Sequence, residues 1–123
     1  MSGTIFVKGL ALHAYHGVLP YESKVGQTFK LDLTLTVDLD AASRSDKLRD
    51  TIDYGGLVSF VGETFRARPY KLIEAAAGSV ADAILERYPA ITEVAITIHK
   101  PHAPIAAAFD DVGVIISRAR GNG

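Results

Sequence analysis

The feature that most restricts the fold of this chain is a strict alternation of polar and apolar residues between Thr28 and Leu39. Successive side chains of a strand point to opposite faces, so the pattern predicts a strand with one buried and one wet face. Such a strand needs partners in a sheet and a second layer packed on its apolar side.

The rest of the chain supplies those partners. A shorter strand is predicted at 4–10, and a long connection rich in glycine and proline follows it at 13–26. Apolar residues at helical spacing then predict two amphipathic helices, the second of which ends before Pro89. Two more strands are predicted at 93–100 and 112–117. The order is therefore strand, strand, helix, helix, strand, strand.

This order predicts an α+β fold with a four-stranded antiparallel sheet. The two helices are inserted between the two hairpins and cover one face of the sheet. We expect one domain over residues 1–123, with 118–123 as a frayed tail. A small open sheet leaves two unpaired edges, and pairing with further copies of the chain would close them, so we expect a ring of subunits.

Composition excludes several classes of function. The chain has 13 basic and 14 acidic residues and a net charge of -1, so it lacks the excess of basic residues that attracts nucleic acids or anionic lipid. It has no cysteine for disulfides or thiolate ligands. No apolar run approaches the ~20 residues of a membrane helix, and no signal peptide is recognisable. We therefore expect a cytoplasmic protein without nucleic-acid or membrane partners.

Lys100 is placed unusually for a charged residue. Counting back by twos puts it on the same face of its strand as Ile98, Ile96 and Val94. Its ammonium group could reach water from the rim of the sheet. Alternatively, a lysine held against apolar surface loses hydration and becomes able to exchange protons with a substrate. Both interpretations are open.

Other candidate residues have ordinary explanations when each is taken alone. Glu22 could be a solvated charge in a loop. Glu74 could be a favourable charge in the first turn of a helix. Tyr54 could simply pack on its helix face.

A metal site is not predicted, although His13 with His16 and His99 with His102 form two H-x-x-H pairs. In a strand or loop, side chains three positions apart point in opposite directions, so neither pair shares a face. We expect neither a metal nor another cofactor.

Four segments together carry a resemblance to a known family. They are HGVLPYESKVGQTFKLDLTL at 16–35, DTIDYGGL at 50–57, KLIEAAA at 71–77 and ITIHKPHAPI at 96–105. In this order and at this spacing they resemble the dihydroneopterin aldolases of folate biosynthesis. The resemblance implies the tunnelling fold, in which the sheets of several subunits join into a barrel with helices outside. Two such tetrameric rings commonly stack into an octamer.

The resemblance also implies the residues of an active site between neighbouring subunits. The catalytic residues would be Lys100, Glu22 and Tyr54. The substrate-binding residues would be Glu74, Ile73, Thr51 and Asp53. The carboxylate of Glu74 would accept two parallel N–H bonds from the flat pterin edge. Tyr54 and its two neighbours at 51 and 53 would come from the adjacent subunit.

The activity implied is the retro-aldol cleavage of dihydroneopterin to hydroxymethyl-dihydropterin and glycolaldehyde, without metal and with some epimerisation to dihydromonapterin. Two alternatives are open: an epimerase of dihydroneopterin or its triphosphate, and a pterin-binding ring protein without catalysis. His102 and the alanines at 106–108 depart from the pattern of many relatives. The shape of that loop and the preferred pterin are therefore open as well.

Overall fold

The computed structural model describes residues 3–120 and contains four strands and several helices. The strands are β1 (Gly3–Ala14), β2 (Gln27–Val37), β3 (Ile91–His99) and β4 (Gly113–Ala119). The helices are α1 (Pro20–Val25), α2 (Asp40–Ser45), α3 (Tyr54–Phe65) and α4 (Ile73–Arg87), and a 3-10 helix occupies Leu48–Asp50. No helix in this part of the chain is long and apolar enough to span a membrane.

The four strands form one antiparallel sheet in the order β1-β2-β3-β4. β2 is central, and its Leu33 pairs with Val7 of β1 and with Ile96 of β3. β1 and β4 are the two edge strands. The predicted α+β fold with a four-stranded antiparallel sheet is confirmed.

The predicted alternation in β2 places the hydrophobic core. Its side chains from Phe29 to Leu35 at every second position are completely buried, whereas Thr28, Lys30 and Thr34 on the other face are exposed. α4 packs on β3 and β4, and α3 packs on α4. The helices therefore cover one face of the sheet, as predicted.

The first strand is longer than the sequence pattern predicts, because a bulge interrupts its alternation. β1 continues to Ala14, and its register against β2 shifts between Val7 and Leu10. Gly9 sits in this bulge with a φ of 71°, a conformation that glycine adopts without strain. Its N–H donates to Oδ1 of Asp32 at 2.8 Å, which holds the bulge against β2.

Three short helices were not predicted from the sequence. α1 lies inside the expected 13–26 connection, and α2 and the 3-10 helix lie between β2 and α3. α1 and α2 have six residues each, too few for a recognisable apolar period.

The expectation of a frayed tail is wrong for residues 118–120. β4 includes Arg118 and Ala119, and the Arg120 guanidinium donates to the carbonyl oxygens of Leu85, Tyr88 and Ile91. These bonds fasten the residue after β4 to the end of α4 and the start of β3. Residues 121–123 lie outside the described residues.

Replacing a residue on the buried face of β2 should destabilise the fold much more than replacing its neighbour on the other face. Leu33→Ala removes completely buried methyl groups and should lower the free energy of unfolding by about 2–5 kcal/mol. Thr34→Ala, at an exposed position, should change it by less than about 0.5 kcal/mol. Urea unfolding followed by circular dichroism measures both values, and similar losses would contradict the assigned faces.

Candidate active site

A cavity of about 530 Å³ opens between the end of β3, the start of α4 and the connection that follows β1. Loop residues before β4 complete its wall. The cavity brings together residues that are far apart in the sequence. Four of the predicted site residues line it: Glu22, Ile73, Glu74 and Lys100.

Lys100 and Glu22 form an ion pair at the edge of this cavity. The Lys100 Nζ lies 2.9 Å from Oε2 of Glu22, and the two side chains are only 14% and 3% exposed. The ammonium group is therefore directed at a carboxylate and not at bulk water. Of the two interpretations of this lysine, the geometry favours the one in which it is shielded from water.

The backbone explains why Lys100 points toward the helices. Its N–H donates to the carbonyl oxygen of Val112 at 2.7 Å, so the pairing with the neighbouring segment continues one residue beyond β3. The alternation that buries Ile98 then places the Lys100 side chain on the same face.

Glu22 is held by several hydrogen bonds. It is the third residue of α1, and its Oε1 accepts from the N–H of Leu19, which precedes the helix, at 3.1 Å. Oε2 also accepts from Nε2 of Gln27 at 3.2 Å. Gly17 leaves room for the carboxylate, because a Cβ at that position would lie 2.3 Å from Cδ of Glu22.

These contacts determine the charge of Glu22. Burial by itself raises the pKa of the carboxyl group, but the hydrogen bonds and charge of Lys100, with the bonds from Leu19 and Gln27, outweigh it. The pKa of Glu22 consequently lies below its ordinary value, and the carboxylate is ionised at neutral pH. The ionised carboxylate is thus a hydrogen-bond acceptor for Nζ of Lys100.

Glu74 and Ile73 form a second part of the cavity wall, at the start of α4. Ile73 is buried, while Glu74, in the first turn, is exposed. Leu72 precedes the helix and provides no side-chain cap. This wall offers a carboxylate beside apolar surface.

The other three predicted site residues do not line this cavity. Tyr54 is 58% exposed and lines a different cavity of about 450 Å³ with Phe6 and Leu39. Asp53 is the N-cap of α3, because its Oδ1 accepts from the N–H of Gly55 at 3.1 Å. Thr51 follows the 3-10 helix and does not line the first cavity either.

Gln27 and His16 belong to the site region but were missed in the sequence. Gln27 had a signal, because it continues the alternation of β2 on the side of Phe29. His16 follows the bulge in β1, which interrupts the alternation, so its burial could not be counted from the sequence. A polar side chain at such a position needs hydrogen-bond partners. Oε1 of Gln27 is buried and has no partner among the residues that the structure describes.

His16 joins the two loops that carry the walls of the cavity. Its Nδ1 accepts from the N–H of Tyr70 at 3.0 Å, so Nε2 carries the proton and donates to the carbonyl oxygen of Phe65 at 2.9 Å. The N–H of Gly17 donates to the carbonyl oxygen of Tyr70 at 2.9 Å. Burial lowers the pKa of His16, and the positive charge of Lys100 lowers it further.

The first histidine pair does not share a face. His13 is exposed on β1, whereas His16 is buried. Between residues 3 and 120, no three His, Cys, Asp or Glu side chains are grouped so as to hold a metal ion.

The fold and cavity define a small α+β protein with a shielded ion pair beside a cavity. The sequence model of the dihydroneopterin aldolase family matches residues 5–117. A dihydroneopterin aldolase of Methylorubrum extorquens is 40% identical over 98% of this chain and 92% of its own length, and one of Streptococcus pyogenes is 36% identical over 94% and 98%. The chain belongs to the dihydroneopterin aldolase family.

A solved structure agrees with this assignment. The Escherichia coli dihydroneopterin aldolase in complex with neopterin superimposes with a TM-score of 0.86 at 29% identity, over 95% of this chain and 99% of that one. The two proteins therefore share their architecture over nearly their full lengths.

The buried His16 should make the protein less stable in mild acid. The unfolded imidazole takes up a proton near pH 6.5, whereas the folded one has a lowered pKa, so the unfolded state binds more protons below that pH. The His16 contribution should be present above about pH 6.5 and be lost as the pH falls toward the lower folded pKa. Urea unfolding at a series of pH values measures this dependence.

His16→Gln should weaken the pH dependence of stability in this interval, because the titrating group is gone. His102→Gln is the matched control, since His102 is exposed in the loop after β3. An unchanged slope in the first variant would contradict the assignment to His16.

Proposed function

We propose that this chain catalyses the metal-free retro-aldol cleavage of dihydroneopterin to hydroxymethyl-dihydropterin and glycolaldehyde, with some epimerisation to dihydromonapterin. The observation that carries the proposal is the shielded ion pair of Lys100 and Glu22 in the cavity that Glu74 also lines. Family membership and the neopterin complex of the Escherichia coli relative support the same substrate class. The lack of cysteine suits a reducing compartment, and we place the enzyme in the cytoplasm.

The substrate explains why so few catalytic groups suffice. A retro-aldol cleavage needs an electron sink, and in dihydroneopterin the ring carries a C=N bond conjugated to the carbon that loses its neighbour. Removing the side-chain hydroxyl proton breaks the carbon–carbon bond, releases glycolaldehyde and moves the electron pair into the ring. The ring nitrogen takes up a proton as the electron pair arrives. When the carbon that remains is then protonated, the ring nitrogen releases its proton and the C=N bond re-forms.

Lys100 and Glu22 are suited to these proton transfers. In our proposal Lys100 shuttles protons near the hydroxyl group and the ring nitrogen, with Glu22 as its partner and an ordered water between protein and substrate. The buried Oε1 of Gln27 would accept a hydrogen bond from that water. Tyr54 would assist the final protonation of carbon.

Glu74 is suited to holding the pterin. Its carboxylate would accept two parallel N–H bonds from the ring edge, a pattern that provides both strength and orientation. Ile73 would contribute a backbone group beside it. The cavity is large enough for a flat bicyclic ring, with apolar walls from residues such as Leu19 and Val114.

Tyr54 can take part only if a second copy of the chain supplies it. It lines a cavity next to the edge strand β1, whereas Lys100 lines the cavity next to the edge strand β4. We propose that β1 of one subunit pairs with β4 of the next, which closes a tetrameric ring. Stacking of two rings would give an octamer. Tyr54, Thr51 and Asp53 would then reach the neighbour's cavity.

Lys100→Ala should abolish glycolaldehyde release while leaving neopterin affinity nearly unchanged. Loss of a proton-transfer group lowers kcat by roughly 10²- to 10⁴-fold, whereas pterin binding depends on Glu74. Glycolaldehyde release is measured in the presence of EDTA, and neopterin affinity by calorimetry. Lys30→Ala is the matched control, because Lys30 lies on the opposite face of the sheet.

The same assay separates the alternative functions. Release that survives the chelator supports the metal-free aldolase, and formation of the epimer alone supports an epimerase. Tight binding without turnover supports a pterin-binding ring protein. An unimpaired Lys100→Ala variant would overturn the role of the lysine.

Mixing two inactive variants should restore activity if the site is shared between subunits. Lys100→Ala and Tyr54→Ala each damage every site of their own assembly. In mixed rings formed by co-refolding, about a quarter of the interfaces should combine an intact Lys100 with an intact Tyr54. Glycolaldehyde release by the mixture should therefore exceed that of either variant alone. The control is the double variant, which carries both substitutions in one chain, taken through the same refolding alone. A mixture that is no more active than either single variant would contradict the shared site.

A further inference from the structure

His99 lies on the sheet face opposite the helices, between two carboxylates from different segments. Its Nε2 is 2.7 Å from Oδ2 of Asp32 in β2, and its Nδ1 is 2.5 Å from Oδ2 of Asp111 in the loop before β4. Carboxylates accept and do not donate when ionised, so satisfying both bonds requires a proton on each ring nitrogen. We call these three side chains the His99 clasp.

The charges around the clasp favour the doubly protonated ring. Hydrogen bonds to Asp32 and Asp111, with the charges of both, raise the pKa of His99 although burial opposes them. The other charged side chains at this corner are Lys8, Lys30 and Asp110, which share a cavity of about 350 Å³ with the clasp.

The clasp acts on the segment that carries Lys100. Asp111 is followed by Val112, whose carbonyl oxygen accepts the N–H of Lys100 at 2.7 Å. Holding Asp111 against His99 therefore holds both ends of the 100–112 loop together. The same loop forms part of the active-site wall through Ala103 to Ile105.

We propose that His99 is a positioning residue, which joins Asp32 to Asp111 and thereby fixes the backbone from which Lys100 projects into the active-site cavity. Its importance for turnover rests on the proposed function, because that function makes Lys100 catalytic. The clasp itself is independent of the substrate. When the ring loses its second proton, it can donate to only one carboxylate, and the other bond opens.

Asp111→Asn is the decisive variant, because it removes one charge from the clasp with little change in size. Asp110→Asn is the matched control: it removes the same charge one residue earlier, and Asp110 makes no hydrogen bond to His99 in the described part of the chain. Amide hydrogen exchange at Lys100 reports the backbone directly. We expect Asp111→Asn to accelerate it by roughly tenfold or more at constant pH, with Leu33 unaffected, because only a local opening is involved.

Turnover of dihydroneopterin provides the second readout. We expect Asp111→Asn to lower kcat by roughly 10- to 100-fold, with KM changed much less, because a small displacement of a catalytic group is costly. In the wild type, kcat should decline as the pH rises and His99 loses its second proton, and the variant should show this decline at lower pH. Asp110→Asn should follow the wild type in both respects.

The outcomes are distinguishable. The positioning role is overturned if the Lys100 amide exchanges at the same rate in Asp111→Asn as in Asp110→Asn. It is also overturned if this amide exchanges faster in Asp111→Asn while kcat and its pH profile stay the same. If the wild type releases no glycolaldehyde, the proposed function has failed, and the exchange rate of Lys100 still decides whether the clasp fixes this residue.

Discussion

The ion pair between Glu22 and Lys100 places strong requirements on the surrounding structure. Removing two charges from water is costly, and their attraction compensates only when geometry is good and the remaining hydrogen-bonding capacity is satisfied. Here the N–H of Leu19 and the amide of Gln27 bind the carboxylate as well. Glu22 lies in the connection after β1, and Lys100 directly follows β3. These segments are far apart in the sequence, so the fold must hold them close to each other.

Two histidines hold these segments, and their environments give them different charge states: one ring is neutral and the other is positively charged. His16 is buried and bonded to backbone groups of which one donates and one accepts, which requires a neutral ring. His99 faces two carboxylates, which favours a positively charged ring. The same side chain therefore serves one loop as a neutral link and another as a cationic link, because only the protonation of the ring differs.

The sequence predicted the layers of this fold better than its connections. Alternation in β2 identified the buried face, and the same counting placed Lys100 on it, because a period of two is independent of what lies far away. The bulge at Gly9 broke that counting and hid the second half of β1, while α1 was too short to show a helical period. The clasp could not be predicted, because His99 and Asp111 meet only once the intervening loop has taken its shape. Gln27 could have been noticed as a polar residue on the buried side of β2.

The predicted site residues are divided between the cavity that Lys100 lines and the region around Tyr54. This division is best understood together with the open edges of the sheet. A single chain exposes β1 and β4, and it exposes apolar side chains beside them, with Phe6 and Ile115 each 71% exposed. Joining these edges would satisfy backbone groups and cover apolar surface, which gives a reason for assembly that is independent of catalysis. The same joining is what would carry Tyr54 toward a neighbour's Lys100. If the ring closes in this way, each site obtains its Tyr54 from the next subunit, and catalysis depends on assembly.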